Sequence, residues 1–175
     1  TTNQLRTDSL GNTYITGYFK DTVDFDPGLG ITELTSPGVS QGFIVKYSPA
    51  HDLIWARQFG GGDGLTYSHG LDIDSDGIAY ISGLTSSTSA VFGSFTLTGD
   101  STSDAFLARL DSNGNFEWVR RWGGTSGLTS KTVQVDADDI IHLSGSFFET
   151  VDFDPSANTF SMTTAGGMDG FISRF

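Results

Sequence analysis

Two aspartate pairs with the same surroundings stand far apart in the chain. Asp24 and Asp26 flank Phe25 in a Val-Asp-Phe-Asp-Pro run, and Asp152 and Asp154 flank Phe153 in an identical one. Alternate residues of an extended strand share a face, which expects both carboxylates on one side and the Phe on the other. Three chemistries are open to such a pair: holding a cation, acid–base work, or anchoring a contact between structural units. Glycoside hydrolysis fits poorly, because it needs carboxylates on two sides of a substrate. Arg57 and Arg120 recur too, each two residues after a tryptophan, Trp55 and Trp118. A carboxylate and a guanidinium that both recur point to a structural pairing, since a partly buried charge needs a partner, and each arginine is expected against an aromatic ring or an Asp of the same or adjacent unit.

A second acidic cluster, Asp72, Asp74 and Asp76 ahead of Gly77, matches the first half of a calcium loop, with oxygens at alternate positions and glycine at the bend. The twelfth position of such a loop is Gly83 instead of the required glutamate, and a hairpin tip accounts equally for the run. These three residues are the metal candidates, with calcium the ion. No other cofactor is expected. His51, His69 and His142 have no spacing that converges on a metal, and no Gly-x-Ser-x-Gly elbow occurs. The Gly60–Gly64 and Gly123–Gly127 stretches lack the Lys-Ser/Thr ending of a phosphate loop and read as turns between units. Trp55, Trp118 and Trp122 are large enough to stack on a sugar, but recurrence at one position favours core packing.

The elements that must position these residues are set by an internal repeat. Asp8–Gly17, Asp74–Gly83 and Asp136–Gly145 superpose at offsets of 66 and 62 residues. Phe43–Tyr47 matches Phe106–Leu110 and Phe171–Phe175, and Trp55–Gly61 matches Trp118–Gly124. Apolar and polar residues alternate through each segment, the pattern of half-buried strands, and turns such as Asp111–Asn115 supply residues that tolerate positive φ. Each unit reads as strand, hairpin turn, strand, loop, strand, turn, strand. The units span residues 1–66, 67–129 and 130–175, the third without the Trp-bearing fourth strand, for about eleven strands in all.

The run Phe92-Gly93-Ser94-Phe95-Thr96-Leu97-Thr98, with Asp104–Asp111 and Gly114–Trp118, resembles the SBBP-type β-propeller repeat. The resemblance extends over essentially the whole chain. It implies an all-β, propeller-like array of four-stranded antiparallel blades, here incomplete. It also implies a bacterial, exported or cell-surface setting, and no particular activity, because propellers host many functions.

Composition agrees with short strands and tight turns: 23 glycines, 14 phenylalanines and 17% charged residues. A net charge of −12 repels phosphate backbones, which argues against nucleic acid, and no apolar run is long enough for a spanning helix. The absence of cysteine excludes disulfides and thiolate chemistry. The Thr1-Thr2 start reads as a processed or trimmed chain. Fewer than three blades do not close a propeller, which takes about four or more. The expected partner is therefore the protein itself, in a head-to-tail filament or ring through Phe171, Ile172 and Phe175, and the expected role is a non-enzymatic extracellular scaffold. The alternative is a glycan- or calcium-binding propeller module.

Overall fold

The structure, a computed structural model, describes residues 1–99, 103–123, 127–154 and 158–175. Among these residues every regular element is a strand. The first sheet runs in order β1 (Thr2–Thr7), β2 (Thr13–Asp24), β3 (Glu33–Tyr47) and β4 (Leu53–Phe59). The second contains β5 (Thr66–Ile73), β6 (Ala79–Thr85), β9 (Asp104–Leu110) and β10 (Phe116–Trp122), with a separate hairpin of β7 (Ser89–Phe92) and β8 (Phe95–Thr98) inserted. The third contains β11 (Leu128–Val135), β12 (Ile141–Asp152) and β13 (Ser161–Arg174). All pairings are antiparallel, and the chain is an incomplete propeller-like array of blades.

Alternation decides which residues meet. Tyr14, Ile44, Trp55 and Phe59 of the first sheet pack on Leu71, Ile81, Phe106 and Leu110 of the second. Tyr80, Leu107 and Trp122 on the opposite face of the second sheet pack on Val133, Leu143, Phe147 and Phe171 of the third. The sheets therefore join face to face, so burial of one strand's two sides feeds two different cores. A one-residue bulge recurs in each first hairpin, at Asn3, His69 and Lys131. Between the first two sheets the backbone turns through Gly60, Gly61 and Gly62, all at φ near +80° to +100°, a conformation open to glycine at little cost.

The inserted hairpin was not apparent from the repeat. In the first and third units the second and third strands extend into a long arm closed by the Asp-Phe-Asp loop. In the second unit this stretch forms β7–β8, which folds back so that Phe92 stacks on Phe59 of the first unit, 5.1 Å between ring centres. One ring position is nevertheless kept in all three: Phe25–Phe43, Phe92–Phe106 and Phe153–Phe171 lie 4.9, 5.0 and 5.0 Å apart.

Candidate functional site: the interface between units

The polar residues that converge do so where one unit meets the next. In the first unit Asp8 accepts hydrogen bonds from the backbone N–H groups of Leu10 and Asn12 and from the Asn12 side chain, and Lys46 Nζ lies 3.6 Å from its carboxylate. Lys46 also sits over the Tyr14 ring, 4.8 Å from its centre. Burial pushes the Asp8 carboxyl up, but the Asn12 and Leu10 hydrogen bonds and Lys46 outweigh it and hold it below the usual range. Burial and the Asp8 charge both push the Tyr14 phenol up, so it stays a neutral donor. The second unit repeats the cluster: the Tyr80 hydroxyl donates to Asp74 at 3.3 Å, and Arg109 Nε donates to the Tyr80 oxygen at 3.0 Å. In the third unit His142 Nε2 is 2.9 Å from Asp136, and Arg174 is its register partner across β13. An acid, a ring and a cation thus recur on the same face of each sheet.

The following unit covers this face twice. Tyr14 donates to the Gly77 carbonyl of the second unit at 3.2 Å. Thr16 lies 2.8 Å from the Ser68 hydroxyl across the first interface, and Ser130 donates to the Gly83 carbonyl across the second, at 2.7 Å. The bulge residues reach across as well: Asn3 donates to the Ser68 carbonyl, and His69 Nδ1 is 3.0 Å from the Ser130 carbonyl. Arg6 pairs with Asp72 at 3.4 Å.

Trp55 and Arg57 belong to the same interface. The Trp55 indole donates to the Ser112 carbonyl at 3.1 Å, and Arg57 donates to the carbonyls of Gly114 and Asn113 at 3.0 Å each. Both bind the turn between β9 and β10 of the next unit, and the Arg57 guanidinium lies 5.7 Å from the Trp55 ring centre. Arg120 is exposed and lies over Trp118 in the same way, at 5.6 Å. Both arginines thus lie against an aromatic ring, as expected, whereas the Arg57 guanidinium donors go to backbone carbonyls of the neighbouring turn instead of to the aspartate pairs.

The aspartates of those pairs close loops. Asp24 accepts from the N–H groups of Asp26 and Thr32, which hold its carboxyl below the ordinary value, and Asp26 accepts from Gly28. Asp152 accepts from Asp154 and Phe160 in the same arrangement. Phe25 and Phe153 turn inward, onto Phe19 and Phe43 and onto Phe147 and Phe171. Pro155 of the second motif and Gly124 of the second glycine stretch lie outside the described residues.

The three metal candidates do not converge. Asp72 faces Arg6 and accepts from the Val135 N–H at 2.8 Å, whereas Asp74 accepts from the N–H groups of Asp76 and Ile78 within its own turn. Among the described residues no three acidic or histidine side chains gather around one point. The run is a hairpin tip, in which carboxylate oxygens are consumed by backbone donors.

Of the three residues expected to carry assembly, Phe171 is buried against the second unit and the Phe175 ring lies 5.2 Å from that of Trp122. Both point inward. Ile172 points outward and is 80% exposed, at the place where Ile44 and Leu107 are 0% and 1% exposed. The acid–ring–cation cluster was missed in the sequence: the superposed segments hold the acid and the ring, but the cation, Lys46, Arg109 or Arg174, comes from a strand further along each unit.

Residues 54–89, which run from β4 across the first interface to the start of β7, match the beta-propeller repeat family SBBP. Over these residues the chain is similar to an SBBP-type β-propeller repeat. It is also 27% identical over 156 residues to an uncharacterized WD repeat-containing protein, L264, of Acanthamoeba polyphaga mimivirus. That similarity takes in 84% of this chain and 11% of the viral protein's length. In SBBP-type terms the matched stretch holds the Trp55 and Arg57 strand, the glycine turn and the Asp74 hairpin, which together build one unit-to-unit junction.

Proposed function

We propose that the chain is a non-enzymatic structural repeat protein of the extracellular space or cell surface that associates head to tail with its own kind by stacking unit on unit. One observation carries this reading. The two junctions inside the chain are built face to face from the same repeat positions, with Tyr14, Ile44 and Trp55 packed on the second unit and Tyr80, Leu107 and Trp122 on the third. The mode of association is face to face, as between the units of this chain, and not the addition of a strand to the β13 edge. A heterologous contact of this kind closes into a ring if the rotation allows and otherwise runs on as a filament; twist between units need not divide a full turn, which favours the filament. The extracellular setting rests on the family resemblance.

Sedimentation velocity across a concentration series, with electron microscopy of the same samples, tests the reading. Concentration-dependent growth into linear or annular particles is expected. A monomer that persists at the highest concentration defeats it.

A further inference from the structure

The second unit departs from the others where its chain runs out along β7 and back along β8. The turn of that hairpin, Gly93 and Ser94, lies beside β4 of the first unit and the turn between β9 and β10. β4 and β10 are edge strands of their sheets, so the three pieces meet at the open side of a junction inside the chain. Between them is a cleft of about 300 Å³, lined by Arg57, Gln58, Ser94, Asn115 and Phe116. That is the lower end of the range for pockets that hold small molecules, about 300–1,000 Å³.

We propose that this cleft binds a neutral saccharide of one or two rings. Phe116 supplies the apolar wall. It stands edge-on to Phe59 and Phe92, with interplanar angles of 76° and 87°. Its ring is open toward the cleft because Gly93 has no side chain: a Cβ there would lie 3.1 Å from Phe116 Cδ2. An aromatic ring beside a few convergent polar groups suits a sugar, whose C–H face is apolar and whose rim is hydroxyl.

The polar groups serve hydroxyls in both directions. Gln58 and Ser94 are exposed, and an amide and a hydroxyl each donate and accept. Arg57 spends one N–H of Nη1 on the Ala56 carbonyl and one of Nη2 on the Asn113 carbonyl, which leaves each terminal nitrogen a second N–H. The Nε bond to Gly114 fixes the plane of the guanidinium, and Asn115 is fixed by its Nδ2 bond to Asp111. Groups held in place before a ligand arrives lose little freedom on binding it.

Charge selects a neutral ligand. Arg57 is the only charged residue lining the cleft among the described residues, and Asp111 of the adjoining turn offsets it. Burial pushes the Asp111 carboxyl up, but the Asn115 and Asn113 hydrogen bonds and the Arg57 charge hold it below its ordinary value. A net charge of −12 repels anions from a distance, and a cation would meet the guanidinium.

Titration of the isotope-labelled full chain with neutral disaccharides of glucose, galactose, mannose, xylose and N-acetylglucosamine, followed by amide resonance shifts, tests this. At least one should give saturable shifts at Gly93, Ser94, Gly114 and Phe116, with a dissociation constant of about 1 mM or tighter. Ser94→Tyr, which fills the cleft from an exposed position, should weaken binding roughly tenfold or more. Gln58→Ala, which removes one hydrogen-bonding group, should weaken it about fivefold. Both variants should keep the wild-type circular dichroism; Ser94→Leu serves if the tyrosine variant does not. Digalacturonate should bind less well than the neutral sugars. No saturable shift with any neutral sugar, shifts clustered elsewhere on the chain, or affinity that both variants leave unchanged overturns the inference. Tighter binding of digalacturonate overturns the choice of a neutral ligand. None of these results bears on association of the chain with itself, because the cleft lies within one chain.

Discussion

The indole of Trp55 donates to the carbonyl of Ser112, 3.1 Å away and 57 residues on in the chain. The bond ties the last strand of the first unit to a turn of the second, and Arg57 adds two more bonds to the same turn. Trp118 and Arg120 occupy the equivalent positions one unit later, where Trp118 is partly buried beside Tyr80, 6.5 Å between ring centres. The contact of the guanidinium with the tryptophan ring is common to both copies, at 5.7 and 5.6 Å from the ring centre.

Substitutions should separate them. Trp55→Phe keeps most of the buried area but loses the N–H donor, leaving the Ser112 carbonyl to find another partner; a cost of about 1 kcal/mol is expected in urea denaturation. Trp55→Ala should cost about 3–5 kcal/mol, because the side chain is buried. Arg120→Ala, on an exposed residue, should stay within about 0.5 kcal/mol. Equal effects at Arg57 and Arg120 would show that the turn contacts carry no weight.

The fold was readable because every junction reuses the same residue types, so that Leu5, Leu71 and Val133, or Phe43, Phe106 and Phe171, declare the repeat directly. What each polar residue bonds to was harder to see. The aspartate pairs were visible as a motif, yet their partners are backbone N–H groups two to eight residues away, which carry no sequence signature. The partners of Trp55 and Arg57 are carbonyls, which every residue has. The equivalence of Phe92 with Phe25 and Phe153 was hidden by the inserted hairpin, which reaches the same ring position by a different backbone route.

That ring position yields the next prediction. Phe153→Ala should destabilise by about 3–5 kcal/mol, since the ring is buried against Phe147 and Phe171. Asp24→Ala and Asp152→Ala act on the loop and not on the core. They should raise the rate of limited proteolysis between residues 24 and 32, and in the corresponding loop of the third unit, far more than they lower the melting temperature. A hydrolytic activity that vanished with either aspartate would contradict the structural role.

Asp104 and Arg121 form an ion pair whose side chains are 6% and 9% exposed, on neighbouring strands of the second unit. Glycines make room for it: a Cβ at Gly123 would collide with the Asp104 carboxylate, and one at Gly99 with the guanidinium. The first unit has Gln41 and Gln58 at these places, so the fold does not require the pair. Removing the guanidinium takes a charged partner from a buried carboxylate, and Arg121→Ala should cost about 3–5 kcal/mol by chemical denaturation. The double change to Asp104→Gln with Arg121→Gln, which copies the first unit, should recover much of that loss. Additive losses in the double variant would show that the two residues act independently.

Acid should loosen the junction between the second and third units first, through His69, and the junction between the first two at lower pH, through Asp63. Asp63 lies on the connection between them and accepts hydrogen bonds from the Thr88 N–H, the Thr88 hydroxyl and the Ser87 hydroxyl, which bring its carboxyl down to about 2. A carboxyl whose folded value lies below its unfolded one contributes stability that is complete above the unfolded value, here 3.8, and is lost as pH falls toward 2. His69 acts in the same direction at higher pH. Burial pushes its imidazole down, against the Ser130 carbonyl bond that raises it, so protonation opposes folding and stability declines as pH drops below the ordinary histidine value of 6.5. Melting temperatures followed from neutral pH to pH 2 should therefore fall in two steps. His69→Gln should remove the upper step and Asp63→Asn should flatten the lower one. In hydrogen exchange the amide of Thr88 should lose protection in the lower step ahead of the amides of β12, whose ladder with β13 lies on the far side of the array. A lower step that Asp63→Asn leaves unchanged would place the acid sensitivity in the carboxylates of the hairpin turns, Asp8, Asp111 and Asp136, which are also held below their ordinary values.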